Sequence, residues 1–312
     1  MEKLKISFAN IVSIIFAALF GFVCFLSFIF LWQGNIQKSI LFAVAISFLL
    51  WLWVFILKKI KSVRRNFQRN AIFEIIVLVI YILIAVILTI LPYSHYYTVS
   101  DRRDVIKGKI IAEVDNTIKM FDDYETYASG RIGAYEEGLN IAIAGQNMNG
   151  KGFLAAGFQN NGQPINTQKN LLMRIFKDDL MPSQYDTIKV YAIKWLNEAK
   201  ITATEWKHIG LINVINSIEK ESNNWKNELI GYSNSTAIAK VGPFQYTNSF
   251  SSVVQELTQR ATPTFFAIIS AILLYLLILF PYFFKYRDPR HSGLLNELLK
   301  NGNEKDEIGT TL

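Results

Sequence analysis

The chain has 312 residues, a formal net charge of +7, one cysteine, 51% hydrophobic and only 18% charged residues, with a mean hydropathy of +0.24. Soluble domains carry about 25% charged residues, so this composition excludes a chain wholly surrounded by water. The single cysteine excludes an intrachain disulfide framework and a cysteine-based zinc site.

A helix needs about 20 largely apolar residues to cross the hydrocarbon core, and four segments satisfy that. The first, about residues 8–32, holds no charge and is too long for the apolar part of a signal peptide. It carries Ala17-x-x-x-Gly21, a small-residue spacing that allows close helix–helix contact. Cys24 lies within it as a small apolar residue. The second runs over about 40–57, and the third over about 72–92 with Glu74 as its only charge. Glu74 is placed to reach the membrane surface and pair with Arg69 or Lys61. The fourth follows the exported segment, at about 264–284.

Lys58, Lys59, Lys61, Arg64, Arg65 and Arg69 crowd the loop 58–69 between the second and third spans, whereas the loop before the second span holds only Lys38. Basic residues accumulate on the cytoplasmic side. The expected topology therefore has both termini and loop 58–69 inside, with residues 93–263 outside. The same basic loop is a candidate contact for anionic lipid headgroups or a cytoplasmic partner.

Residues 93–263 contain eighteen basic and eighteen acidic residues, so the whole net charge lies outside this segment. That removes nucleic acid as the explanation of the basic pI. Tyr93, Tyr96 and Tyr97, with His95, mark a membrane interface and are candidate anchors. Pro92 is expected to bend the helix there. Apolar residues from Ile106 to Leu139 recur at three- and four-residue steps, which predicts a long amphipathic helix. The stripe of Met120, Phe121, Tyr124 and Tyr127 reads as helix packing.

Residues 145–164, rich in glycine and side-chain amides, predict turns and a mobile loop. Lys151 between Gly150 and Gly152 lacks the spacing of a phosphate-binding loop. A helix is expected from Asn166 or Thr167 to Asp179, and another from Ser183 through Trp195. Thr202 and Glu205 fit a capping box opening a third helix, which reaches Ile230 and ends at Gly231. Residues 235–246 predict a short strand or extended loop. Phe250, Val253, Val254 and Leu257 form a stripe leading into the fourth span. Both membrane-proximal helices are expected to continue into their spans. In the tail, 285–312, the leucines 294, 295, 298 and 299 form a short amphipathic turn.

The signatures of chemistry are missing from the sequence. His95, His208 and His291 show no metal-ligand spacing, and no nucleophile elbow occurs. The pairs Asp122–Asp123, Glu136–Glu137 and Asp178–Asp179 point about 100° apart on a helix and read as solvated faces. No enzymatic role and no cofactor is expected. The fold class is mainly α, a polytopic membrane protein with four transmembrane helices and a helical extracytoplasmic domain.

In its layout of spans, and in the stretches SHYYTVSDRRDVIKGKI and FFKYRDPRHSGLLNELL, the chain resembles the TssN family. This family belongs to the variant type VI secretion system that lacks TssJ, TssL and TssM. The resemblance implies a structural subunit of a bacterial inner-membrane, trans-envelope complex, oligomeric with other membrane and periplasmic subunits. It transfers no functional residue. The competing expectation is a transmembrane sensor whose exported domain encloses a ligand among Trp195, Trp206 or Trp225.

Overall fold

The computed structural model describes residues 8–61, 67–145, 150–235, 242–259, 262–283 and 285. Among them every regular element is a helix. The chain divides into two compact units, one formed by Met1–Arg103 with Glu256–Leu312 and the other by Asp104–Gln255.

The first unit begins with α1, Phe8–Leu31, and α2, Ile36–Lys61. At about 36 and 39 Å, both exceed the roughly 30 Å of bilayer hydrocarbon. They are joined by a tight turn in which Gln33 and Gly34 take positive φ. The Gly34 amide bonds back to the Ile29 carbonyl at 2.7 Å, satisfying one of the last carbonyls of α1. The Asn35 side chain accepts from the Lys38 amide at 3.0 Å and so caps α2.

The third apolar helix is α3, Phe67–Leu88. It passes through a π-helical turn, Thr89–Tyr93, into α4, Ser94–Asp101. Pro92 sits inside the wide turn. A proline has no amide proton and crowds the preceding turn, and a local π-turn accommodates it while the helix continues. Three apolar helices, Phe8–Leu31, Ile36–Lys61 and Ala71–Asp101, are thus long enough to cross a membrane. Their outward faces agree with that use: Leu41, Val44, Ile75 and Leu83 are each more than half exposed. Helices apolar on all sides fit a hydrocarbon surround.

In the second unit the longest helix is the 42-residue α5, Arg103–Ala144, which bonds to Leu180, Tyr185 and Ser233 of later helices. The short α6, Lys151–Ala155, follows it, then α7, Ile165–Leu180, α8, Tyr185–Thr204, and α9, Leu211–Ser235. Helix α10, Phe250–Thr258, crosses from this unit into the first. The last elements among the described residues are α11, Phe265–Ile278, and the single turn α12, Phe280–Phe283.

The fourth predicted span is therefore not one long helix. Helix α11 has 14 residues, about 21 Å, and Leu279 separates it from α12. The step from α10 into it is also broken, because Thr264 is extended and caps α11 through a bond from the Ala267 amide.

The expected capping box fails too. Thr202 lies inside α8 and its hydroxyl donates to the Glu198 carbonyl one turn back. The break falls instead at Trp206 (φ +58°) and Gly210 (φ +97°). Burial of the Trp206 side chain fixes that turn, an outcome governed by tertiary packing and invisible to a four-residue motif. Nor does Gly231 end α9, which runs to Ser235. Within 235–246, positions 242–246 are irregular, and 236–241 lie outside the described residues.

Residues 150–164 form α6 and the turns the composition predicts, mostly exposed, and two phenylalanines anchor them. Phe153 and Phe158 stack at 4.7 Å and bury against Leu139. The Gln168 side chain accepts from the Gln159 amide at 2.7 Å and donates to the Gln159 carbonyl at 2.9 Å. One buried amide thus satisfies a backbone that has no helix to pair with.

Candidate functional site

Polar side chains inside the apolar first unit are costly unless paired, so their partners define what this unit does. At the loop end of α2, the Lys58 ammonium donates to the Asn10 side-chain oxygen of α1 at 2.9 Å. Lys61 donates to the Tyr282 carbonyl at 2.9 Å and sits 4.4 Å above the Tyr282 ring, a cation–π geometry. The Tyr282 hydroxyl donates to the buried Glu74 carboxylate at 2.6 Å. Glu74 and Lys61, which the sequence suggested as partners of one another, thus converge on one tyrosine of α12. Lys59 lies on the same last turn. Arg69 falls in the first turn of α3, and Arg64 and Arg65 lie outside the described residues.

Further along the bundle, the Ser13 hydroxyl donates to the Ile278 carbonyl at 2.7 Å. Tyr275 and Thr89 both donate to the Ala85 carbonyl, at 2.9 and 2.8 Å. That carbonyl lies one turn before the π-turn, where the regular ladder changes register.

At the opposite end, Ser27 of α1 and Nδ1 of His95 in α4 are hydrogen-bonded at 3.0 Å, both buried. Tyr93 is enclosed by the bundle. Its ring stacks on Phe20 at 4.7 Å and its hydroxyl donates to Ser270 at 3.1 Å. Tyr96 and Tyr97 are half-buried and meet edge to face at 5.4 Å.

Ala17 and Gly21 lie in the buried face of α1. A Cβ at Gly21 would overlap the Ser47 hydroxyl and stand 2.9 Å from the Ala43 carbonyl of α2. The close approach is therefore between α1 and α2 of one chain.

The aromatic stripe of α5 is spent on packing. Tyr124 donates to the Leu180 carbonyl at 2.7 Å, and Tyr185 of α8 to the Phe121 carbonyl at 3.1 Å. Burial pushes both phenols above their ordinary pKa, with the nearby Glu125 carboxylate adding to the effect at Tyr185. Arg131 is buried and donates to the Ser233 carbonyl and the Tyr127 hydroxyl, both at 2.7 Å. The carboxylate pairs sit on solvated faces. Asp122 shares Lys189 with Glu125, at 2.9 and 2.8 Å, and Glu136 meets Lys169 at 2.9 Å.

Of the three tryptophans, Trp195 lines an open cleft. Trp195 and Trp225 meet edge to face at 5.8 Å, while Trp206 is buried in the α8–α9 turn. An open cleft of about 360 Å³ lies between α8 and α9, with Trp195, Glu198, Asn213 and Ser217 on its walls. No group of metal-ligating side chains occurs among the described residues.

The sequence singled out the basic loop and the tyrosines but missed Ser27–His95, Tyr275 and Tyr282. These contacts join positions 68 to 208 residues apart, and nothing local marks them. No protein-family model matches the chain, and no curated protein or solved structure is significantly similar to it.

Proposed function

We propose that the chain is a non-enzymatic structural subunit of a bacterial envelope complex, held in the inner membrane by four spans, with residues 93–263 on the periplasmic side. The observation that carries this reading is how the bundle spends its polar groups. Lys58, Lys61, Glu74, Ser13, Ser27, Tyr93 and Tyr275 each bond to a different helix. Such ties fix an architecture, whereas a transport path keeps polar groups facing a water-filled route.

Five of these ties have one end on α11 or α12, which supports counting Phe265–Phe283 as the fourth span. Nineteen residues reach about 28 Å, close to the hydrocarbon thickness. The cluster of basic residues at 58–69 against the lone Lys38 supports cytoplasmic termini. It also offers a surface to anionic headgroups or a cytoplasmic partner. The exported unit, rigidified by α5 and charge-balanced, offers helical faces to other membrane and periplasmic subunits. The narrower placement in a type VI secretion system rests on layout and the two quoted stretches, and no family match adds to it.

A second reading, a transmembrane sensor, has the α8–α9 cleft in its favour. Affinity purification in mild detergent followed by mass spectrometry separates the two. Recovery of a stoichiometric set of envelope proteins is the expected result. A lone monomer carrying a small molecule in the exported unit would overturn the structural reading.

A further inference from the structure

Helix α8 leaves one face of the second unit uncovered. Val190, Tyr191 and Ile201 are each more than half exposed along it. Tyr191, Trp195, Glu198 and Thr202 follow one another at steps of four, three and four residues, the spacing that sets side chains in line on a helix. The last three belong to one wall of the cleft between α8 and α9, and Asn213, Val214 and Ser217 form the other. We propose that a partner subunit docks on this face and lays an arginine side chain in the cleft, its guanidinium stacked on Trp195 and paired with Glu198. The proposal deepens the structural-subunit reading and rests on it.

The chemistry of the walls selects the charge of the occupant. The Thr202 hydroxyl donates to the Glu198 carbonyl at 3.0 Å, and the Ser217 hydroxyl to the Asn213 carbonyl at 2.8 Å. Each spends its only proton within its own helix and keeps lone pairs for an occupant. The Glu198 carboxylate accepts bonds and gives none, and among the described residues it has no ion pair. The carboxylates of α5 differ, since Asp115, Glu125 and Glu136 meet Lys200, Lys189 and Lys169 at 2.6, 2.8 and 2.9 Å. No lysine or arginine lines the cleft. Apart from the Asn213 amide and the indole N–H, its side chains are acceptors or apolar. An anion would meet Glu198 unopposed, whereas a cation rich in donors finds acceptors on both walls.

The indole selects arginine among cations. Trp195 is half-buried: Trp225 meets it edge to face at 5.8 Å, and its open surface lines the cleft. A guanidinium is planar, stacks on aromatic faces and carries five donors in a fork that matches a carboxylate, while an ammonium is a strongly hydrated point charge. The surroundings select a protein over a free cation. A small amine would use the cleft alone and leave Val190, Tyr191 and Ile201 in water beside it. Interface centres are rich in tryptophan, tyrosine and arginine, ringed by residues that exclude water. Helix α8 supplies the first two and the apolar ring, and the partner supplies the third.

The test begins with the full chain in mild detergent, labelled with fluorotryptophan, and N-acetyl-arginine amide as the probe. The fluorine signal of Trp195, assigned with Trp195→Phe, is expected to shift as the probe is added. N-acetyl-citrulline amide, its uncharged near-isostere, should bind about tenfold more weakly, and Glu198→Gln should weaken the arginine probe by about the same factor. Equal binding of the two probes, or no shift with either, would overturn the proposal. In cells, a benzophenone side chain placed at Ile201 is expected to cross-link to an arginine-containing peptide of a second protein. Glu198→Arg should abolish that cross-link, and exchange of the partner's arginine for glutamate should restore it. Cross-links at Ile201 indifferent to Glu198→Arg would overturn the cleft assignment and leave the subunit reading standing. Absence of protein cross-links at Ile201 and equally at Leu154 and Leu171, exposed on other helices, would bring down the subunit reading and the proposal with it.

Discussion

The Tyr282 hydroxyl donates a 2.6 Å hydrogen bond to the buried Glu74 carboxylate, across 208 residues of sequence. Bonds to charged groups are the stronger class, and a buried carboxylate that loses one donor keeps more of its desolvation penalty. Tyr282→Phe is therefore expected to destabilise the first unit by about 1–3 kcal/mol. Adding Glu74→Gln should cost less than the sum of the two single changes. Denaturant unfolding of the four proteins in one detergent checks this. Strict additivity would show that the bond contributes nothing.

The Gly21–Ser47 contact makes a steric prediction. A Cβ at position 21 overlaps the Ser47 hydroxyl and comes within 2.9 Å of the Ala43 backbone carbonyl; the hydroxyl can rotate away but the carbonyl cannot, so Gly21→Ala forces α1 and α2 apart and is expected to cost about 1–3 kcal/mol. Ser47→Gly in the same chain removes the closest clash and should recover part of the loss. The 2.9 Å approach to the Ala43 carbonyl remains, which prevents full recovery. Thermal unfolding of the single and double variants measures both effects. Equal stability of Gly21→Ala and the wild type would contradict the close packing.

How much of this was legible in the sequence differed by level. The three N-terminal apolar helices and the α5 stripe followed from period and composition, because burial against lipid or against a neighbour dictates both. The wide turn at Pro92 was half-legible: proline chemistry announces a disturbance, but not that a π-turn absorbs it and the helix continues. The Thr202–Glu205 motif misled because Trp206 finds a buried site that moves the break four residues on. The Tyr282–Glu74 and Ser27–His95 bonds were illegible, since a single tyrosine or histidine in an apolar stretch carries no sign of its distant partner.

Arg131 ties α5 to the end of α9 through the Ser233 carbonyl and holds the Tyr127 hydroxyl. Because it is buried, Arg131→Met leaves both oxygens without this donor and is expected to destabilise the second unit by about 1–3 kcal/mol. The Phe244 amide donates to the Ser233 hydroxyl, so loosening should spread there. Hydrogen exchange is expected to accelerate at 229–234 and 242–246 and to stay unchanged at Phe153–Phe158. Uniform acceleration would point to global rather than local loss.

The α5–α8 contact sets an alkaline limit. Burial raises the pKa of Tyr124 and Tyr185 above 10.0. At Lys189 burial acts downward, but the bonds to Glu125 and Asp122 outweigh it and the pKa lies above 10.5. All three folded values exceed the unfolded ones. Their contribution is therefore complete below about pH 10 and is lost as pH rises through the folded values. Melting temperature followed by near-ultraviolet circular dichroism should be flat near neutrality and fall above pH 10. Tyr124→Phe should start lower, having lost its bond to Leu180, and fall less steeply. An identical slope in both proteins would remove Tyr124 from the account.

On the proposed topology the bilayer separates a basic inner end, with Lys58, Lys59 and Lys61, from an exported helical unit. Labelling of single introduced cysteines in intact cells with a membrane-impermeant maleimide tests it most directly, since the native Cys24 is buried. Asn160→Cys, in the exposed turn after Phe158, is expected to label once the outer envelope is permeable. Asn66→Cys is expected to label only after the inner membrane is broken. Labelling of Asn66→Cys from outside with protection of Asn160→Cys would invert the topology and contradict the account.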